Sequence, residues 1–217
     1  MAAGKMKADA SLDVLFIGNS FTARNDLPAL VASLAAAAGT TLSHRLVSAG
    51  GASLRMHWNK GEALKAVREG GYDYVVLQEQ STLPIKNAAR MHENVRLFDA
   101  AIKAAGSKTA LYMTWARRRT PETQQQIADA YQSIGRETGA TVVPAGLAWQ
   151  RFLAKHDAPV LHDADGSHPT PAGSYLAACV FFATFWGRSP VGVGEGAPGL
   201  APAESKKLQQ AAWAAVG

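Results

Sequence analysis

The stretch Leu12-Asp13-Val14-Leu15-Phe16-Ile17-Gly18-Asn19-Ser20 decides how this chain folds. Its short apolar run reads as a strand buried on both faces, the habit of a parallel sheet rather than of a half-solvated antiparallel one. Gly18 closes the run. Two residues later Ser20 stands in the turn where a strand hands over to a helix, a place where a hydroxyl and nearby backbone N–H groups can face the same space. Taken alone, Gly18-Asn19-Ser20 also fits a serine that merely caps a helix. It is not the G-x-G-x-x-G of dinucleotide binding.

Downstream, Asp26 is placed to cap the next helix, with Pro28 in its first turn and Leu27, Leu30, Val31 and Leu34 at helical spacing. Thr41–Ser48 reads as a second strand closed by Gly50-Gly51. A helix is expected from about Asn59 to Glu69. Tyr72–Leu77 is the third strand and runs into Gln78-Glu79-Gln80-Ser81. A helix over about Ala88–Ala105 precedes a fourth strand, Lys108–Thr114. Thr120-Pro121 is a cap followed by proline at the first helical position. Thr141-Val142-Val143 is a short fifth strand, followed by a helical stretch near Leu147–Lys155. Thr170-Pro171 repeats the cap-plus-proline start, and Pro190–Pro202 is a loop before a terminal helix over Ala203–Val216.

Strands alternating with helices imply right-handed βαβ units and a three-layer α/β/α sandwich around a five-stranded parallel sheet. No repeat or linker divides residues 11–217, which are expected to form one domain. Residues 1–10 are expected to be a disordered leader. They carry lysines but no apolar centre, so they do not read as a signal peptide. Sheets of this kind hold ligands at the carboxyl ends of their strands. Ser20, Gly50-Gly51, Gln78 and Trp115 all follow strands and should converge there.

Composition narrows the chemistry. The 217 residues are 47% hydrophobic and 18% charged, ordinary for a globular protein, and no apolar run reaches the length of a membrane span. The formal charge is +5, but the one dense basic run, Arg117-Arg118-Arg119, lacks interleaved aromatics, so no nucleic-acid partner is expected. A single cysteine, Cys179, sits among Leu176, Val180 and Phe181 and reads as a small core residue. No CxxC, HExxH or calcium-loop pattern is present, and no metal or cofactor is expected.

Asp165-Gly166-Ser167-His168 supplies the second half of a chemical pair. On a tight turn, residues three apart present their side chains to one side. His168 can then take the Ser20 proton while Asp165 holds the other ring nitrogen. Asp163 and His162 are weaker rivals for the acid and the base. Oxyanion donors are sought in the Ser20 N–H, the Gly51 (or Gly50) N–H and the Gln78 side-chain amide, with Gln80 as the alternative. Trp115 is a candidate floor for a sugar or acyl group, and Arg117 a candidate contact to a polar substrate group. Glu79 carries no assigned role.

The chain resembles the SGNH/GDSL hydrolase superfamily. The resemblance rests on Phe16-Ile17-Gly18-Asn19-Ser20-Phe21, Gly50-Gly51-Ala52-Ser53-Leu54 and Asp165-Gly166-Ser167-His168-Pro169, which follow the family's order across nearly the whole chain. It implies a flavodoxin-like fold and a metal-independent serine esterase with Ser20, His168 and Asp165 as its triad. The family's Gly-x-Asn-Asp block is absent. Leu77-Gln78-Glu79-Gln80-Ser81 stands there instead and is similar to the glutamine-bearing block of carbohydrate acetylesterases. That implies Gln78 in the asparagine's role and a small-molecule or carbohydrate ester, acetyl above all, as substrate. A non-catalytic glycan or acyl-ligand binder and an O-acyltransferase are the competing readings.

Overall fold

A computed structural model describes residues 11–197 and 199–217, so the leader expected over residues 1–10 lies outside the described residues. The elements run β1 (Leu12–Gly18), α1 (Ser20–Ala23), α2 (Leu27–Ala37), β2 (Leu42–Ser48), α3 (Leu54–Lys60), α4 (Glu62–Glu69), β3 (Tyr74–Leu77), α5 (Leu83–Lys86), α6 (Ala88–Ala104), β4 (Lys108–Tyr112), α7 (Gln124–Thr138), β5 (Thr141–Val143), α8 (Ala145–Leu153), α9 (Pro171–Trp186) and α10 (Pro202–Val216). The five strands form one sheet in the order β2-β1-β3-β4-β5, every pairing parallel. Strand order reverses between β1 and β3, the crevice where such sheets hold their ligands. Ile17 lies opposite Leu77, and Leu77 opposite Leu111, so the loops after β1, β3 and β4 leave the sheet at one level.

Alternate residues of β1 feed two cores. Val14 and Phe16 pack with α2, α8, α9 and α10, whereas Leu15 and Ile17 pack with residues of α3, α4, α6 and α7. Burial on both faces is what makes β1 and β3 almost continuously apolar, whereas the edge strand β2 carries Ser43, His44 and Arg45 on exposed positions. The helix α9 is apolar on nearly every side, and every one of its residues but Pro171 and Thr184 is buried. Phe181 meets Phe16 at 5.7 Å and Tyr112 at 5.0 Å between ring centroids, while α2 and α10 cover the helix from outside. A helix apolar all round has to be enclosed this way. Cys179 lies inside it, fully buried, and desolvation pushes its thiol up to about 12, which leaves it an inert core residue.

Local structure departs from the sequence expectations in four places. The helix expected over residues 59–69 is two helices: Ser53 Oγ accepts the Met56 N–H and starts α3 earlier, and Gly61, at φ 80°, separates it from α4. Thr120-Pro121 opens a 3-10 turn over Pro121–Thr123 before α7, with no side-chain cap bond from Thr120. A 3-10 turn over Arg24–Asp26 and the short α5 were not foreseen. Thr170 does cap α9, accepting the Gly173 N–H at 3.2 Å.

Candidate active site

Ser20 is the first residue of α1, directly after β1. The helix is capped by Asn19, whose Oδ1 accepts the Phe21 N–H at 3.1 Å, so Ser20 is free of that duty. The turn is braced from beneath. Gln78 Oε1 accepts the Asn19 N–H at 2.8 Å and the Thr22 hydroxyl at 2.9 Å. His57 Nε2 donates to the Gly18 carbonyl at 2.7 Å, and burial holds the His57 imidazole below its ordinary pKa. Asn19 Nδ2 donates to the Ala52 carbonyl at 2.9 Å, tying the β1 loop to the β2 loop.

Gly18 permits this closeness. A Cβ there would stand 2.5 Å from Thr22 Oγ1 and 2.7 Å from Gln78 Oε1. Gly18→Ala therefore forces the turn off its supports, at about 1–3 kcal/mol for such overpacking. For a chain of this size the melting temperature should fall by about 2–4 °C per kcal/mol. A calorimetric scan superimposable on the parent's would contradict this account.

The Asp165–His168 pair sits on a small closed hairpin. His162 bridges antiparallel to Pro169, Asp163 N–H donates to the His168 carbonyl at 2.8 Å, and Gly166 N–H donates to the Asp163 carbonyl at 2.9 Å. Asp165 Oδ1 accepts the N–H groups of Ser167 (2.8 Å) and His168 (2.9 Å), an Asx-type turn. Its Oδ2 is left for the His168 ring, which donates from Nδ1 at 2.5 Å. The spacing of three thus works because one carboxylate oxygen builds the turn and the other holds the imidazole. The same bonds, the His168 ring foremost, hold the Asp165 carboxyl far below the usual carboxylate range. With Nδ1 as donor, His168 Nε2 is the acceptor, and Ser20 Oγ lies 2.8 Å from it.

Further contacts join the two halves. Asn25 Nδ2 donates to the Pro169 carbonyl (3.2 Å) and to Ser174 Oγ (2.9 Å). Asn25 and Asp26 both adopt left-handed backbone, with φ of 55° and 49°. That conformation costs a non-glycine residue free energy, least for Asn and Asp, and persists where surrounding contacts over-determine it. Phe21 packs against the His168 ring at 5.2 Å.

Ser20, Asp165 and His168, read as candidates from the sequence, are therefore brought together. Gly50 and Gly51 are exposed at the neighbouring strand end, and neither N–H is engaged within the described residues. Two expectations are corrected. Gln78 does not face the site: its side chain is fully buried, with Oε1 spent on Asn19 and Thr22 and Nε2 donating to the Glu79 carbonyl. Gln80, half-buried, has its Oε1 held by the Thr82 N–H and hydroxyl, which leaves Nε2 without a partner among the described residues. Trp115 is not an open floor. It is 2% exposed, stacks on Trp149 at 3.7 Å and donates Nε1 to the Ser167 carbonyl, so it buttresses the histidine hairpin. Arg117 is exposed and borders, together with Trp115 and His162, a cavity of about 590 Å³ whose walls include none of Ser20, Asp165 and His168. The rivals have other work: Asp163 pairs with Arg24 at 2.6 Å, and buried His162 bonds the Ala116 carbonyl at 3.0 Å.

Solved structures with the same architecture include a candidate SGNH hydrolase from Slackia heliotrinireducens. It is 28% identical with a TM-score of 0.70, over 80% of this chain and 98% of that one. The chain has the SGNH/GDSL hydrolase fold. A DUF4886 family protein from Bacteroides uniformis aligns over 95% of each chain at 21% identity and a TM-score of 0.78. An acetyl xylan esterase, AlAXEase, aligns over 80% of this chain and 100% of that one at 13% identity and a TM-score of 0.61. No protein-family model and no curated protein sequence matches the chain. Among the described residues, no helix of this SGNH-type fold is long and apolar enough to cross a membrane.

Proposed function

We propose that the protein is a serine esterase acting on short acyl esters, acetyl groups on carbohydrates foremost. The observation that carries this reading is the unbroken contact chain from Ser20 Oγ through the His168 ring to Asp165. In this reading Ser20 attacks the ester carbonyl while His168 Nε2 takes its proton, and Asp165 stabilises the imidazolium. His168 then returns the proton to the leaving alcohol, and water, activated by the same nitrogen, releases the acyl group from Ser20. The Ser20 N–H, the Gly51 N–H and Gln80 Nε2 are the donors assigned to the oxyanion, one from each of the loops after β1, β2 and β3. A single such donor is typically worth about 3 kcal/mol in the transition state.

The substrate class follows the resemblance of Leu77–Ser81 to the glutamine-bearing acetylesterases, and a structure neighbour acting on acetyl xylan agrees with it. The test combines two measurements. A fluorophosphonate probe should label the protein stoichiometrically, with the adduct mapped by mass spectrometry to Ser20. A panel of p-nitrophenyl esters from acetyl to decanoyl, run beside acetylated oligosaccharides, should show turnover falling with acyl length. Absence of labelling would reject a serine nucleophile, and a preference for decanoyl esters would reject the short-acyl assignment.

A further inference from the structure

We infer that Glu79 is a positioning residue that locks together the two loops carrying the Gly51 and Gln80 oxyanion donors. The inference rests on the esterase reading of the site. Glu79 is fully buried two residues beyond the end of β3. Its Oε1 accepts two backbone N–H groups at once: Gln80, on its own loop, at 2.7 Å, and Leu54, at the end of the β2 loop, at 3.0 Å. Its Oε2 accepts Asn94 Nδ2 at 2.8 Å from α6. One side chain thereby fixes the loop of Gln80 against the segment that runs from Gly51 to Leu54. That segment is held from its other side, where Ala52 receives Asn19.

The position requires an acceptor-only group. All three partners donate, and a carboxylate has lone pairs for each of them. A glutamine of the same shape would turn an N–H₂ toward one of these donors. Asn94 cannot rotate to receive it, because Asn94 Oδ1 is held by Arg55 Nε at 3.0 Å. Burying a carboxylate is costly. Here three N–H groups and the Arg55 charge, relayed through Asn94, offset part of that cost. Burial raises the Glu79 pKa, while the Asn94, Gln80 and Leu54 donors pull it back. Oxyanion donors accelerate a reaction to the extent that they are aimed before charge develops. Buried cross-bracing between two loops is one way to hold that aim, and charge-assisted bonds are about twice as strong as neutral ones.

The test is a double-mutant cycle on the full chain with Glu79→Gln and Gln80→Ala, read by steady-state hydrolysis of p-nitrophenyl acetate. Glu79→Gln should lower kcat by about ten- to a hundredfold, the range expected for small misplacements, with KM within about twofold. In the Gln80→Ala background the same substitution should cost much less, since one donor it aims has gone. Asn94→Ala, a milder disturbance, should shift kcat in the same direction by a smaller factor and covers the case in which Glu79→Gln does not fold. Full additivity in the cycle, or kcat within twofold of the parent for the folded variants, would overturn the assignment. Hydrogen exchange separates this from failure of the esterase reading, because it needs no turnover. The Gln80 and Leu54 amides should exchange at least about tenfold faster in the variant while those of β1 and β3 do not change. Unaltered exchange at both amides overturns the bracing whatever the enzyme hydrolyses.

Discussion

Ser20→Ala should abolish ester hydrolysis while leaving the fold intact. Nothing in the packing depends on the hydroxyl: Asn19 caps α1, and Gln78, His57 and Ala52 hold the turn through backbone groups and Asn19. The one bond lost is to His168 Nε2, a part-buried contact at the edge of the site. The melting temperature should therefore stay within about 2 °C of the parent's, since a net hydrogen bond contributes about 1 kcal/mol. In the esterase reading, activity has no such reserve. In triad enzymes loss of the nucleophile alone costs about as much as loss of the whole triad, a fall in kcat on the order of 10⁶. The residue of catalysis left by oxyanion donors and binding should be the only rate observed. Fluorophosphonate labelling should vanish with it. Hydrolysis within tenfold of the parent would remove Ser20 from the chemistry.

Asp165→Asn is expected to lower kcat by about 10⁴, the loss that accompanies the wrong imidazole tautomer. Asparagine keeps a carbonyl for the Ser167 and His168 N–H groups, so the hairpin should survive. Its amide, however, would donate to His168 Nδ1. The ring proton would then sit on Nε2, facing Ser20 as a donor where an acceptor is required. Asp165→Ala should do different damage, because it also deletes the side-chain acceptor of the turn's two backbone N–H groups. Circular dichroism and melting should separate the two variants even where their activities are equally low. Acidification provides a further check. The bonds hold the Asp165 carboxyl below its unfolded value of about 3.9, so their stabilisation is complete above that pH and is lost only as pH falls toward the folded-state value. Parent and Asp165→Asn should consequently differ most in pH-dependence of stability below about pH 4.

Much of this was legible in the sequence because it is local. The apolar run ending at Gly18 marks a strand, and Thr170-Pro171 marks a helix start, by the chemistry of a few adjacent residues. The sheet edge then follows from alternation. Ser20, Asp165 and His168 were readable because Asp165-x-x-His168 is itself a local device, one oxygen for the turn and one for the ring. Gln78 against Gln80 was not. Both follow a strand of four buried residues, and which amide turns inward depends on where the pleat ends and on Thr22 and Asn19, about sixty positions away. Trp115 failed for a related reason: its partners, Trp149 and the Ser167 carbonyl, come from distant parts of the chain. Buried acids are rare, and nothing adjacent in sequence announces Leu54 or Asn94 as donors to Glu79.

The separation of 148 positions between Ser20 and His168 carries a consequence for how the protein comes into being. The strand that presents the serine leaves the ribosome well before the hairpin that presents the histidine. Asn25, whose amide grips Pro169 and Ser174, cannot be satisfied until that late segment arrives. Chains fold as they are made, early segments first. In the esterase reading, a nascent chain is thus chemically silent until that later segment has been made, and the proposed nucleophile waits for its base.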